Sequence, residues 1–156
     1  LTHMLVMPLA DFYTSGLDWV LAGARIPVGL LFFLLTTFSN GCVIEIGRKI
    51  RNPQDEEVGV DTYSRLWGGR MAASVWLFIL GVTGALAFVC CQFGGYASHA
   101  FPWLVFFLLL SAIPAVRFIL WKKNGRYIEA ASGMWTLAMY LIVGGIPMLV
   151  DWVKND

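Results

Sequence analysis

The stretch MAASVWLFILGVTGALAFVCCQF, residues 71–93, decides the fold class, because it contains no charged side chain. A helix that crosses a membrane needs about 20 mostly apolar residues, since no backbone polar group can face lipid without a hydrogen-bond partner. A run of this length and composition therefore predicts a transmembrane helix.

Three further runs extend this pattern along the chain. Residues 101–116 and 130–150 contain no charged side chain. A run from about residue 25 to residue 44 also qualifies, with Pro27 in its first turn, where proline is tolerated. We predict four full spans, near residues 22–48, 69–93, 100–122 and 130–152.

The composition supports one all-α domain, a polytopic transmembrane helix bundle over residues 1–156. Hydrophobic residues make up 58% of the chain and charged residues only 13%, whereas a soluble domain has about 25% charged residues. The formal net charge of +1 argues against a nucleic-acid-binding protein. Residues 1–9 are apolar but too short to cross a membrane alone, and we interpret them as the end of a partial N-terminal helix.

Lysine and arginine residues set the predicted orientation, because they are enriched in cytoplasmic loops. The connection after the first span and the connection after the third span are basic, whereas residues 94–100 contain no Lys or Arg. We therefore predict a multi-pass integral membrane protein with the charged loops 49–69 and 122–129 in the cytoplasm.

The segment of residues 39–70, SNGCVIEIGRKIRNPQDEEVGVDTYSRLWGGR, holds five acidic and five basic residues. Glu45, Arg48 and Lys49 share one helix face at i, i+3 and i+4 spacing. Carboxylates beside basic groups suit a phosphate bound with Mg²⁺, which takes one or two carboxylates together with phosphate oxygens and water. The same pattern also fits a solvated loop in which the acids balance the bases.

The run EIGRKIRNPQDEEVGVDT, residues 45–62, resembles the second aspartate-rich motif of the UbiA superfamily of membrane prenyltransferases. The matching positions are Glu45, Ile46, Arg48, Ile50, Asp55, Gly59 and Thr62. The preceding words HMLVMPLADFY and GLDW are also similar to the helix before that motif, and three predicted spans follow it, as in the family.

The resemblance implies a UbiA-like fold, of which this chain is the C-terminal half of a nine-helix protein. No segment before Glu45 resembles the first aspartate-rich motif, so the resemblance implies either that a missing N-terminal half supplies it or that the fragment is inactive alone. Members of the family transfer an isoprenoid from its diphosphate to an aromatic or lipid acceptor and depend on Mg²⁺. The implied partners are the isoprenoid diphosphate, the acceptor, membrane lipids and the N-terminal half.

The resemblance also implies roles for residues of the charged segment. The residues expected to bind the metal are Glu45, Asp55, Glu56 and Asn52. The residues expected to bind the substrate diphosphate are Arg48, Lys49 and Arg51. No residue is assigned to the chemical step itself.

Other classes of membrane protein share part of this pattern. A non-catalytic membrane protein, or a transporter subunit, could use the charged segment as a cytoplasmic partner-binding loop. The middles of the four predicted spans carry no ionisable residue, however, and transport pathways usually contain one. A CDP-alcohol phosphotransferase would carry a D-G-x-x-A-R word, which the sequence lacks.

Overall fold

The computed structural model describes residues 2–56, 59–121 and 124–155, and within these ranges it contains helices and no strand. The helices are α1 (Thr2–Leu21), α2 (Val28–Arg48), α3 (Tyr63–Trp67), α4 (Gly69–Phe93), α5 (Ala97–Trp121), α6 (Arg126–Tyr140) and α7 (Ile146–Asn155), with a 3-10 turn at Pro53–Asp55 and a π-helical turn at Leu141–Gly145. The all-α class predicted from the sequence is confirmed.

Four helical segments are long and apolar enough to cross a membrane: Val28–Arg48, Gly69–Phe93, Ala97–Trp121 and Arg126–Val150. The four runs predicted to span the membrane are thus helices of sufficient length and hydropathy, and the second has the predicted ends. The first begins six residues later than predicted, at Val28 instead of residue 22, because Gly23 adopts φ +61° and Pro27 precedes the helix in an extended conformation.

The other boundaries differ at helix starts. α5 begins at Ala97 instead of residue 100, and α6 begins at Arg126 instead of residue 130. The predicted starts were taken from the apolar runs, whereas the first turn of each helix contains polar residues and is also helical. The last span continues through the π-helical turn into α7, which ends at Asn155. Residues 122 and 123 of the second basic loop lie outside the described residues.

The N-terminal helix is longer than the apolar run of residues 1–9 that predicted it. α1 has 20 residues, and at 1.5 Å per residue it is about 30 Å long. Its middle is polar, but the hydroxyl of Thr14 donates to the carbonyl of Ala10 at 3.0 Å and that of Ser15 to the carbonyl of Asp11 at 2.6 Å. These bonds within the helix allow it to continue through polar sequence and to pack against α2.

The centre of the bundle is the place where α2, α4 and α6 meet around Trp76. This side chain is fully buried, and its indole Nε1 donates to the carbonyl of Val43 at 2.9 Å and to Ser132 Oγ at 3.0 Å. A Cβ atom at Gly47 would collide with Ser132 Oγ. The helices can therefore approach this closely because residue 47 is glycine.

Both basic loops lie at one end of the bundle. A Cβ atom on Gly125 would lie 2.7 Å from the carbonyl oxygen of Ile50, so the two connections are in direct contact. Nearby, Arg51 Nη2 lies 3.2 Å from Glu129 Oε2. The two connections, predicted to lie on one side of the membrane, are therefore found at the same end of the bundle.

Candidate functional site

Glu45 lies where α2 leaves the apolar part of its sequence, and it is paired with both basic residues of its helix face. Its carboxylate is 2.7 Å from Arg48 Nη2 and 3.0 Å from Lys49 Nζ. The ammonium of Lys49 also lies 5.6 Å from the ring centroid of Tyr63. The face predicted from i, i+3 and i+4 spacing therefore exists, and its single acid pairs with both bases, which leaves the face positively charged.

Asp55 is the last residue of the 3-10 turn Pro53–Asp55, away from this helix face. Its Oδ2 accepts a hydrogen bond from Asn52 Nδ2 at 3.5 Å, and its Oδ1 lies 3.9 Å from Arg126 Nη2. Asn52 and Asp55, two of the residues expected to bind the metal, are thus neighbours in the structure. The contact with Arg126 joins them to the first turn of α6.

Glu56 is held inside the loop by two hydroxyl groups. Its Oε1 accepts from Thr62 Oγ1 at 3.0 Å and from Ser64 Oγ at 3.1 Å. Ser64 Oγ in turn accepts from the backbone amide of Arg51 at 3.0 Å. This network folds the segment after α2 back onto α3, and sequence reasoning did not assign Ser64 a role in it.

We expect Ser64→Ala to loosen this loop. The substitution leaves the amide of Arg51 without its acceptor and Glu56 with one donor fewer, and an unsatisfied buried group of this kind costs about 1–3 kcal/mol. Hydrogen exchange at residues 51–56 should become at least about tenfold faster. Ser98→Ala, at an exposed serine of α5, is the control, and equal exchange in the two variants would contradict this account of the loop.

Two cavities near the charged end are lined by five of the seven predicted site residues, whereas Lys49 and Asp55 line neither. The larger, about 600 Å³, is lined by Arg51, Asn52, Gln54, Glu56, Ser64 and Arg70, among others. The smaller, about 250 Å³, lies between α1 and α2 and is lined by Met4, Met7, Gly41, Ile44, Glu45 and Arg48. The two groups separate because the chain leaves the helix at Lys49 and turns at Pro53.

Arg70 is a residue of the larger cavity that the sequence did not single out. It lies in the first turn of α4, 19 positions after Arg51, and only the folding of the loop brings the two arginines to one cavity. The sequence could have indicated Arg70 by its position directly before an apolar span, because a basic residue there lies at the membrane interface.

The acids of the site do not form a closed metal cage. Among the side chains that the structure describes, no group of three or more His, Cys, Asp or Glu residues is placed to hold a metal ion. Glu45, Asp55 and Glu56 each have separate basic or hydroxyl partners. Residues 57 and 58 of the loop lie outside the described ranges.

A row of polar side chains between α2 and α6 was also missed. Thr136 Oγ1 donates to Asn40 Oδ1 at 3.3 Å, and Ser132 Oγ lies one turn nearer the loops. Thr37 and Asn40 recur at i, i+3 on α2, whereas Ser132, Thr136 and Tyr140 recur at i, i+4 on α6. This periodicity of polar residues within apolar helices was the signal that could have found the row.

Comparisons with protein-family models, with curated proteins and with solved structures each give no match. The class of the protein therefore rests on its own helices. An all-helical bundle with four segments able to cross a membrane is the architecture of a multi-pass membrane protein.

Proposed function

We propose that the chain belongs to a UbiA-like prenyltransferase, which transfers an isoprenoid from its diphosphate to an aromatic or lipid acceptor within the membrane. The observation that carries the proposal is the cavity at the charged end of the bundle, where Arg51 and Arg70 lie together at the edge of the apolar helices. A prenyl diphosphate has matching parts, with an anionic head and an apolar tail. The motif resemblance supplies the reaction.

Basic residues have the chemical task of neutralising the leaving diphosphate. A guanidinium group can hold two phosphate oxygens at once, and charge stabilisation of a leaving group is a large term in catalysis. Arg51 and Arg70 would contact the diphosphate in the larger cavity. Arg48 and Lys49 would add positive charge from the end of α2, where Arg48 is more than half exposed.

The proposal includes Mg²⁺ because the family that the sequence resembles depends on this ion. When bound, Mg²⁺ would add positive charge at the diphosphate oxygens. The acids that the structure describes do not converge on one point, so these residues by themselves do not provide a complete site. Glu45 and Asp55 would each supply one carboxylate, with Glu56 and Asn52 adjacent to Asp55, and the N-terminal half implied by the resemblance would supply the rest.

Binding of an unreactive substrate analogue tests the proposal without knowledge of the acceptor. Full-length protein in nanodiscs should bind farnesyl thiolodiphosphate more tightly with Mg²⁺ than without it. Arg51→Gln should weaken this binding at least about tenfold, since a hydrogen bond to a charged group contributes about 1.5–3 kcal/mol.

The matched control is Arg65→Gln, because Arg65 is an exposed arginine of the same loop. Its substitution should leave binding within about twofold of wild type, as expected of a surface charge. Failure of the wild-type protein to bind the analogue, or equal losses in both variants, would count against the proposed function.

The cytoplasmic location of the basic loops is part of the proposal and gives a separate prediction. In a cysteine-free background, Val60→Cys should react with an impermeant thiol reagent from the cytoplasmic side only. Ser98→Cys, at the opposite end of the spans, should react from the other side only. Both positions are exposed, so equal labelling of the two from one side would contradict the orientation.

A further inference from the structure

A cavity of about 550 Å³ lies between α5 and α6, which pack against each other, and we call it the lateral groove. It reaches Asn124 in the connection between the two helices, so it lies at the same end of the bundle as the charged loops. The residues that line it from α5 are Leu110, Ile113, Pro114 and Arg117. They recur at i, i+3, i+4 and i+7 and therefore form one face of that helix.

The facing side of α6 has the same periodicity and carries small side chains. The residues that line the groove from this helix are Tyr127, Ala130, Ala131 and Met134. Methyl side chains at residues 130 and 131 leave the space that the groove occupies, and the buried Ala131 lies at its inner side.

The groove opens on the outer surface of the bundle. Leu110 and Ile113 on α5 are exposed, and so is Ala130 on α6. In a multi-pass membrane protein, an outward groove between two spans lies against lipid. An occupant can therefore enter it sideways from the bilayer, without passing between packed helices.

Aromatic residues place the charged end of the groove at the membrane–water interface. Trp121 and Tyr127 are both largely exposed, and such side chains are enriched at the level of the lipid headgroups. Arg117 precedes Trp121 by four residues, or about 6 Å along the helix axis. Leu110 lies about 10 Å deeper than Arg117. The groove thus extends from the headgroup region to the level of the acyl chains.

Arg117 brings positive charge to the groove. With the acidic side chains that the structure describes, it forms no ion pair, and none of the described lining residues is Asp or Glu. An arginine near the end of a span can extend its guanidinium group to the interface while its aliphatic stem stays among apolar groups. The charged end of the groove is therefore suited to an anion.

Two further donors lie at the same end. Asn124 and Tyr127 both line the groove there. Asn124 Oδ1 already accepts from the backbone amide of Arg126 at 3.1 Å, so its Nδ2 is the atom that can donate to a ligand. The hydroxyl group of Tyr127 can also donate. One cation and two neutral donors thus lie above an apolar channel.

We propose that the lateral groove binds an anionic phospholipid of the surrounding bilayer, with its phosphate at Arg117 and an acyl chain between α5 and α6. A guanidinium group can hold two phosphate oxygens at once, and Asn124 and Tyr127 can donate to the others. A lipid with a single negative charge, such as phosphatidylglycerol, balances the charge of Arg117. The headgroup of phosphatidylcholine instead adds a cation beside it.

This binding does not depend on the proposed prenyl transfer. The prenyl diphosphate would lie in the larger cavity with Arg51 and Arg70, and no residue described as lining that cavity also lines the lateral groove. With the basic loops in the cytoplasm, as proposed, the lipid belongs to the cytoplasmic leaflet, which is rich in anionic lipids.

The test compares two lipids that have the same acyl chains and differ in headgroup charge. Full-length protein in detergent micelles is titrated with dioleoyl phosphatidylglycerol or dioleoyl phosphatidylcholine, and native mass spectrometry measures the first binding event. We expect wild-type protein to bind phosphatidylglycerol at least about tenfold more tightly, because only this lipid balances the charge of Arg117. This comparison needs no variant and is therefore independent of variant folding.

Substitutions at Arg117 then test the charge. Arg117→Gln should reduce the preference for phosphatidylglycerol at least about fivefold, since a charge-assisted hydrogen bond is lost. Arg117→Lys keeps the positive charge and should retain most of the preference. Arg65→Gln is the matched control, at an exposed arginine of the loop after α2, and should retain it fully.

A substitution that fills the groove tests the place of binding without changing the charge. Ala130 is exposed, so a larger side chain can be accommodated there without disturbing the core. Ala130→Trp should weaken the binding of phosphatidylglycerol at least about fivefold, because the acyl chain loses its contacts in the groove. Val116→Trp, at an exposed residue of α5 that is not among those lining the groove, should bind the lipid like wild type.

Each outcome decides the proposal. Equal binding of the two lipids by wild-type protein, as expected if another helix fills the groove, would overturn it. Equal losses in Arg117→Gln and Arg65→Gln would indicate a general attraction to a basic surface, and unchanged binding in Ala130→Trp would place the lipid elsewhere; either would overturn it. Displacement of the lipid by glycerol 3-phosphate would indicate a soluble phosphate ligand instead. Losses in Arg117→Gln and Ala130→Trp alone would support the lipid site, whether or not the protein binds farnesyl thiolodiphosphate.

Discussion

Glu45→Gln and Asp55→Asn should each lower prenyl transfer by the full-length protein at least about a hundredfold. Each substitution removes a negative charge that, on the proposed function, helps to hold Mg²⁺ against the leaving diphosphate. Initial rates at saturating prenyl diphosphate and Mg²⁺ measure the effect, with the amount of folded protein determined by gel filtration.

The structure supplies a second explanation for Glu45 that the experiment must separate. Glu45 is paired with Arg48 and Lys49, and an i, i+4 ion pair of this kind contributes only about 0.2–0.5 kcal/mol to stability. If the pairing is its whole role, Glu45→Gln will retain nearly normal transfer. Asp61→Asn, at an exposed carboxylate of the same loop, should leave the rate within about twofold of wild type.

Near-normal transfer in both Glu45→Gln and Asp55→Asn would leave the segment as a solvated connector. A large loss in Asp61→Asn as well would instead indicate a general dependence on loop charge. Only a large loss in the first two variants, with activity kept in the third, assigns the two carboxylates to the diphosphate site.

Trp76→Ala should strongly lower the free energy of unfolding of the helix bundle. The indole fills the space where α2, α4 and α6 meet and donates two hydrogen bonds there, and truncation of a buried aromatic side chain costs about 3–5 kcal/mol. Reversible unfolding in mixed detergent micelles, followed by circular dichroism, measures the loss in free energy of unfolding.

The matched control is Trp103→Ala, because Trp103 is 55% exposed on α5. Its removal leaves no cavity between helices and should cost less than about 1 kcal/mol. Similar losses in the two variants would mean that the three helices are not held together at Trp76.

The sequence predicted the spans well where apolar runs are uninterrupted, as in α4, which has the predicted ends. Hydropathy indicated only residues 1–9 of α1, because Asp11, Thr14 and Ser15 lower the hydropathy of a helix that also packs against α2. Hydropathy is a sum over single residues, so it does not account for the packing of one helix against another.

The sequence predicted which residues belong to the candidate site but not which of them lie close together. Spacing along α2 placed Glu45 beside Arg48 and Lys49, since helical geometry alone determines those contacts. Beyond Arg48 the chain no longer follows α2, so spacing could not show that Arg51 shares a cavity with Arg70 while Glu45 faces another. Those placements depend on Ser64 and Thr62, whose hydroxyl groups fix the loop.

In the larger cavity, Glu129 competes with any bound anion for the guanidinium group of Arg51. At 3.2 Å, the carboxylate on α6 already occupies part of the guanidinium that an incoming anion would use. An anion that binds there must exchange places with Glu129 or share the guanidinium with it. The ion pair between Arg51 and Glu129 connects the loop after α2 to the first turn of α6. Anion binding in the cavity would therefore weaken this connection, and a stronger ion pair would weaken anion binding.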